Sequence, residues 1–382
     1  MKKLFAIVVA MMAFVAFAGA AWAQATEPGP SAVLCGSICT DLGYQTLSKD
    51  QTFNQKDDVI TSFLQLSGHS YLRGTWTSAD KTTGGHIEIN ALSKENDEEK
   101  VGLRYAYGWW KVGNCQLVAG QTDGWLGSLA YMPMTTFGVS QSAKTGLINW
   151  GFVYSSRSPQ IRLEWRSGNV GFSVAAVQPA SEQAVKIDGL DRYSDVPRFD
   201  IATEYKTGGF MTTPALGWSQ VKYQGVASGM EDSYNSWIVM LPLKYTVGPF
   251  TAKVQLHTGA NTETEFSGQL KDNMRAKSPK IMPVGLNTAT AHDTEEIGGV
   301  IALEYALGSL VVTGGYGQVR VENDSWRDGY DRKAWFVAVP FAVTKNFTVS
   351  PEFQYYMYGD HPTTTEDMGN EWLLGLQCKF LF

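Results

Sequence analysis

Beyond residue 23, no stretch of this 382-residue chain approaches the roughly 18 consecutive apolar residues that a membrane-spanning helix needs. A bundle of membrane helices is therefore excluded. Histidine is scarce, and His69, His86, His257, His292 and His361 show no metal-ligand spacing. Of the four cysteines, the near pair Cys35-Gly36-Ser37-Ile38-Cys39 lacks the two-residue spacing and following histidine of a haem attachment site. With 31 Lys and Arg against 37 Asp and Glu, the net charge is −6 and no basic stripe runs along the chain, which argues against a nucleic-acid partner. There is no Gly-x-Ser-x-Gly elbow and no Walker loop, and Gly314-Gly315-Tyr316-Gly317 reads as a thin strand rather than a phosphate cradle. These absences predict neither a catalytic constellation nor a cofactor. No Pro-rich linker or short repeat divides the chain, so one domain is expected.

What is present begins with the two ends. Lys2 and Lys3, the apolar run Leu4 to Phe17, and Ala21-Trp22-Ala23 before Gln24 have the three parts of a secretory signal peptide over residues 1–23. Cleavage there removes two of the 31 basic residues and takes the net charge from −6 to −8. At the other end, Leu374, Leu376, Cys378, Phe380 and Phe382 form one apolar face, with Gln377 and Lys379 on the opposite one. This resembles the terminal strand of bacterial outer-membrane β-barrels, and the resemblance implies that Phe382 is read by the barrel-insertion machinery.

Between these ends the period-two pattern recurs. Ile161-Arg162-Leu163-Glu164-Trp165-Arg166 alternates apolar and charged residues without a break, as does Phe199 to Lys206. Such a strand needs water on one face and an apolar phase on the other. Strands are predicted at 31–46, 60–78, 85–93, 101–110, 114–121, 159–166, 169–177, 197–206, 214–223, 235–245, 250–258, 296–305, 309–320, 333–342, 347–358 and 371–382. Short connections (Ala79–Gly84, Lys111–Asn114, Ser167–Asn169, Thr207–Phe210, Thr246–Gly248, Leu307–Ser309, Thr344–Asn346) alternate with long ones throughout. The pattern predicts an all-β fold for 24–382: one 16-stranded antiparallel transmembrane barrel, with short periplasmic turns and long external loops. The acidic loops at 94–99, 263–265 and 363–367 are solvated tips, or bridge to lipopolysaccharide through divalent cations. Trp76, Tyr105, Tyr107, Trp109, Tyr205, Trp237, Tyr245, Tyr305, Trp335, Tyr355, Trp372 and Phe380 lie near strand ends, where girdles at the lipid boundary are expected.

The connection 122–158 is long, apolar and almost uncharged, with Trp125, Tyr131-Met132-Pro133-Met134, Phe137 and Trp150. A loop of this length has a job, and folding into the barrel would cover its apolar groups. Together with Gly120-Gln121 before it and Pro159-Gln160-Ile161-Arg162 after it, the chain resembles the general bacterial porins, in feel most closely those of sulfate-reducing bacteria. The resemblance implies a trimer, and an inward-folding constriction loop after strand five. Its implied function is passive diffusion of small hydrophilic solutes across the outer membrane. Porin constriction loops often carry an acidic cluster; here Asp123 is the single acidic residue of the loop.

Strand parity gives the candidate lumen residues. Arg73, Arg104, Arg162, Arg166 and Arg198 are placed near the constriction, with Glu164, Asp200 and Asp123 as neighbours; they either pair and hold the loop or guide ions, and the two roles are compatible. Ten inward cations, Lys222 among them, face nine inward acids, so gross charge sets no strong selectivity. A substrate-specific channel for sugars or small organic anions stands as the alternative, with Tyr71, Trp110, Tyr356 and Tyr358 as an aromatic path. Cys35 and Cys39, on one strand, would sit about 13 Å apart, too far for a disulfide. Small residues at Ala32, Gly36, Gly68, Ser70 and Gly74 on the outer face of the first strands are compatible with close packing of another wall.

Overall fold

A computed structural model describes residues 29–47, 58–92, 100–132, 146–155, 157–179, 191–224, 233–262, 266, 294–323, 326, 328–360 and 367–382. Twenty strand segments form a single antiparallel sheet, and four pairs of segments are collinear pieces of one strand each. The sixteen resulting strands are β1 (Ser31–Leu47), β2 (Val59–Leu66 and Tyr71–Thr77), β3 (Thr83–Leu92), β4 (Lys100–Val112), β5 (Cys115–Asp123), β6 (Arg157–Ser167), β7 (Val170–Val177), β8 (Asp191–Tyr193 and Arg198–Thr207), β9 (Phe210–Thr212 and Ala215–Gln224), β10 (Ser233–Val247), β11 (Phe250–Ala260), β12 (Thr294–Leu307), β13 (Leu310–Asn323), β14 (Tyr330–Ala338 and Phe341–Thr344), β15 (Phe347–Tyr358) and β16 (Asn370–Leu381). Each pairs with its sequence neighbours, and β16 pairs with β1 from Ser37↔Leu381 to Gln45↔Leu373, which closes the barrel; among the described residues the segment Val59–Leu66 pairs with β1 alone.

Local chemistry explains both the turns and the interruptions. Gly113, Gly168, Gly208, Gly248 and Gly308 open five two-residue hairpins at φ between 52° and 63°. That is the positive φ a type II′ turn requires at its first central position, and it suits the twist of the flanking strands. Pro197, Pro214 and Pro340 sit in three of the four strand breaks, where a residue without an N–H cannot join the ladder. The fourth break, Ser67–Ser70, is stitched to β1. Ser70 Oγ accepts from Cys39 N at 2.9 Å and donates to Cys39 O at 3.1 Å. The predicted continuous strand 60–78 is thus broken in the middle, and Gly68 and Ser70 belong to this break rather than to an outward face.

Burial alternates with period two along the wall. On β6, Gln160, Arg162 and Glu164 are buried while Ile161, Leu163 and Trp165 are exposed, and the same holds for Ile238 and Met240 against Val239 and Leu241 on β10. Exposed aliphatic groups continue around the ring (Leu42, Ile87, Leu303, Val337), so the outer face is an apolar belt and the polar face is the concave one. Nine of the twelve predicted girdle aromatics lie on the outer face. Tyr105, Tyr107 and Trp109 do not. Between β3 and β4 the register shifts, with Glu88 opposite Tyr105 but Ile89 opposite Leu103, which leaves Arg104 as the extra residue of a β-bulge. The bulge keeps Arg104 inward and reverses the parity that follows it. Tyr105, Tyr107 and Trp109 turn into the lumen, where His86 stacks on Tyr107 at 5.2 Å. Trp110, predicted for the lumen, is 54% exposed on the outer face.

Candidate pore and its constriction

The described part of 122–158 lies against the concave face of the wall. Next to β5, Trp125 Nε1 donates to Glu164 Oε1 at 3.0 Å, and the Arg166 guanidinium stacks over the indole at 4.6 Å. Further along, Leu126 and Val153 are buried with Ala202, Ala215, Ile238 and Met240, inward residues of β8, β9 and β10. The Tyr131 hydroxyl meets Thr213 Oγ1 at 2.6 Å, and Lys253 Nζ donates to Met132 O at 3.0 Å. Burial pushes the Tyr131 phenol up to about 12. The Gln255 side-chain amide pairs with the loop backbone in both directions, accepting from Val153 N at 2.6 Å and donating to Val153 O at 3.3 Å. On the far side Trp150 packs at 4.7 Å from both Tyr356 and Tyr358, with Arg332 4.2 Å from its ring.

This landing also accounts for Gly317 of β13 and for Gly151 of the loop. A Cβ on Gly317 would lie 2.0 Å from Trp150 O, and one on Gly151 would lie 2.2 Å from Gly299 O. Both distances are well inside contact, so only bare backbone lets loop and wall meet there. In the run Gly314-Gly315-Tyr316-Gly317 it is Gly317 on which the loop lies, while Gly314 and Gly315 face the neighbouring strands. A second connection enters the lumen too. Phe266, from the long segment between β11 and β12, is buried beside Leu126 and lies 5.2 Å from the Arg198 guanidinium. Sequence reading missed it; an isolated phenylalanine in a polar loop was the available signal.

Every predicted arginine is inward and paired. Arg73 and Arg104 share Glu88 at 2.6 and 2.9 Å, and both face the Tyr71 ring. Glu164 binds Arg162 at 2.7 Å and Arg166 at 2.6 Å, and Arg166 also reaches Glu204 at 3.4 Å. Arg198 pairs with Asp200 at 2.9 Å, and Arg162 Nη1 donates to Asp123 O at 2.7 Å, holding the loop at its root. The Asp123 carboxylate accepts from the hydroxyls of Tyr105 and Tyr154, the latter at 2.6 Å, with Arg157 at 3.9 Å. Burial, with the Asp123 charge beside it, holds the Tyr154 phenol far above its ordinary range.

Exposure divides the five arginines. Arg104, Arg162 and Arg198 are covered, while the Arg73 and Arg166 side chains are 36% and 48% exposed. Near β2 to β4 two guanidinium groups share one carboxylate. On β6 and β8 four cations, Arg162, Arg166, Arg198 and Lys206, face Glu164, Asp200 and Glu204. Each group keeps one positive charge in excess. Lys222 is not among the inward cations: it stands opposite Ser233 on the outer face and pairs with Asp195. Arg332, which parity reading passed over, is inward and buried.

Against this geometry, the family profile described as Gram-negative porin matches residues 8–361. The chain belongs to the Gram-negative porins. A porin of this family works in the outer membrane as a water-filled path for passive diffusion of small hydrophilic solutes, and the closed sixteen-stranded barrel is the architecture for it. Solved structures agree in fold. The outer membrane channel DcaP of Acinetobacter baumannii aligns over 94% of this chain and 99% of its own, at 15% identity and TM-score 0.72. The anion-selective porin from Comamonas acidovorans aligns over 92% and 100%, at 11% identity and TM-score 0.62. The trimer form of OmpT from Vibrio cholerae aligns over 93% and 100%, at 12% identity and TM-score 0.57. No curated protein matches the chain by sequence. The alternative of a substrate-specific aromatic path loses three of its four residues: Trp110 faces outward, and Tyr356 and Tyr358 are buried beneath Trp150, which leaves Tyr71 beside Arg73 and Arg104. The acidic tips at 94–99, 263–265 and 363–366, like residues 1–28, lie outside the described residues.

Proposed function

We propose that the 122–158 loop narrows this porin's pore, and that Arg73 and Arg166 give the narrowed path a weak preference for anions. The observation that carries the reading is the loop's reciprocal amide pairing with Gln255, deep on the concave wall, opposite the two half-exposed guanidinium groups. Solutes pass beside the loop, past the half-exposed Arg73 on β2 and Arg166 on β6, and size is set by the loop. A charge at a narrow point acts on every passing ion at close range, whereas the acidic external tips are screened over about 8 Å at physiological ionic strength. Local placement therefore outweighs the net charge of −8 that cleavage after residue 23 leaves. Anion selectivity in the Comamonas acidovorans neighbour shows that the fold accommodates this sign.

Residues 1–23 serve as the export signal, and the assembly is a homotrimer seated through the early strands. There Ala32 and Gly74 keep the outer face low, and the Phe382 ring packs against Gly36, within 2.5 Å of where a Cβ would stand. The terminal Phe382 is the element offered to the insertion machinery.

The decisive measurement is reversal potential in a planar bilayer under a salt gradient. Wild type is expected to favour anions weakly. Arg73→Gln with Arg166→Gln is expected to abolish that preference, and Arg162→Gln with Arg166→Gln to reduce it. Cation preference in wild type, unmoved by either double substitution, overturns the assignment of the field to these residues.

A further inference from the structure

We propose, on the reading that Arg166 stands in the ion path, that Trp125 is a positioning residue for the charge of this pore: its indole keeps Arg166 from folding onto Glu164 and holds that guanidinium open to the lumen. Three contacts meet at the indole. Its N–H donates to Glu164 Oε1 at 3.0 Å, the oxygen that Arg162 Nε also reaches at 2.7 Å. With two donors on Oε1, only Oε2 is left for Arg166, which touches it through Nη1 at 2.6 Å. The same guanidinium lies over the indole face, 4.6 Å from the ring, where the cation is attracted without being neutralised. Glu204 does not take over from Glu164, because Arg166 Nε reaches it at 3.4 Å while Lys206 holds its other oxygen at 2.7 Å.

The wall supplies its own control. Arg198 and Asp200 are likewise two residues apart on one strand, and there one guanidinium grips both carboxylate oxygens, Nε to Oδ1 at 3.0 Å and Nη2 to Oδ2 at 2.9 Å. Such a fork fixes the guanidinium against its acid. Phe266 then closes over it, and the Arg198 side chain is 3% exposed against 48% for Arg166. The wall is also cut to admit the indole. A Cβ on Gly171 of β7 would lie 2.9 Å from Trp125 Cη2 and 3.4 Å from Arg166 Cγ, so a side chain there would push the ring off its seat. Two residues before Trp125, Asp123 O is held by Arg162 Nη1 at 2.7 Å, which fixes the place of the ring at the loop root. The loop that narrows the pore therefore also supplies the group that keeps its charge exposed.

Two measurements on the intact porin test this, and they fail separately. The first is modification of Arg166 by phenylglyoxal, read by mass spectrometry with Arg73 as internal reference. Trp125→Leu frees Oε1 for a bidentate grip, so the Arg166 rate should fall roughly fivefold or more relative to Arg73, toward that of Arg198. Gly171→Ala, which displaces the indole from the wall side, should slow it in the same direction. The second is reversal potential under a salt gradient. Trp125→Leu should bring the anion-to-cation permeability ratio down to that of Arg166→Gln, and should add nothing in the Arg166→Gln background. An Arg166 rate unmoved by both Trp125→Leu and Gly171→Ala overturns the proposal, as does an equal loss of selectivity in both backgrounds. A wild type without anion preference, whose Arg166 rate still falls in Trp125→Leu, upholds the positioning role and removes Arg166 from the ion path.

Discussion

The two sides of this lumen are built from opposite chemistry. On β12 to β15 the inward positions include Val300, Val319, Ala334, Phe336 and Tyr356, and the loop residues Leu147, Trp150 and Phe152 are buried on top of them. On β2 to β8 the inward positions include Arg73, Glu88, Arg104, Arg162, Glu164, Arg166, Arg198 and Asp200, joined by ion pairs. Apolar groups on the inside of a barrel are stable only beneath a plug, because water would otherwise cover them. Charged groups there need water or partners, because burying them alone is costly. The loop therefore buries the apolar side and touches the charged side at its root, through Trp125 on Glu164 and Asp123 O on Arg162, while the half-exposed Arg73 and Arg166 are left to solutes. The carboxylates of the apolar side do not alter this division: Glu296 and Glu352 are buried, and Glu304 pairs with Lys253 at 2.6 Å.

The largest test of this division is Trp150→Ala. It removes a ring that touches Tyr356, Tyr358 and Arg332, and about 3–5 kcal/mol of stability should go with it. Thermal unfolding in detergent measures that loss, and single-channel conductance should rise as the loop loosens. A destabilised protein with unchanged conductance would mean that the loop does not limit flow. A smaller effect is expected on the charged side. Glu88→Gln leaves Arg73 and Arg104 without their shared carboxylate, costing on the order of 3 kcal/mol, and the reversal potential should move toward anions. No movement would show that this group lies off the ion path.

The smallest effect is at the rim, outside both sides. In the turn before β3, Asp80 accepts from Ser78 Oγ at 2.6 Å and from the Thr82 N–H and hydroxyl, which hold its carboxyl below the usual range. A depressed carboxyl contributes stability that is complete above its unfolded value of about 3.9 and is lost as pH falls through the folded value. Asp80→Ala should therefore leave conductance and selectivity unchanged and lower the melting temperature slightly at pH 7. That difference should vanish in strong acid.

Strand number, order and closure were legible because they rest on local properties. Ile161 to Arg166 alternates whatever lies beside it, and Gly168 or Gly208 supplies the φ of a tight turn without reference to the rest of the chain. The inward placement of Arg73, Arg162, Glu164, Arg166, Arg198 and Asp200 followed from the same parity. Reading failed where parity is reset. The bulge at Arg104 costs one residue and carries no composition of its own, yet it moves Tyr105, Tyr107 and Trp109 to the lumen and Trp110 to the outer face. Lys222 was misplaced although parity is not reset there: the pairing register runs unbroken across Pro214, and with Thr213 and Ala215 both buried the even positions of β9 face outward.

The sequence by itself determined a closed wall of sixteen strands with a wet inner face and an apolar outer one. Each of those features needs only the period of a strand, the conformational reach of glycine and the cost of an open edge. Tertiary structure alone decided that the 122–158 loop lands on Gly317 and Gln255, that Phe266 joins it, and that Arg73 and Arg166 stay exposed while Arg104, Arg162 and Arg198 are covered. Those outcomes depend on shape and charge brought together across a hundred residues of chain, as Val153 and Gln255 are, and no local pattern encodes them.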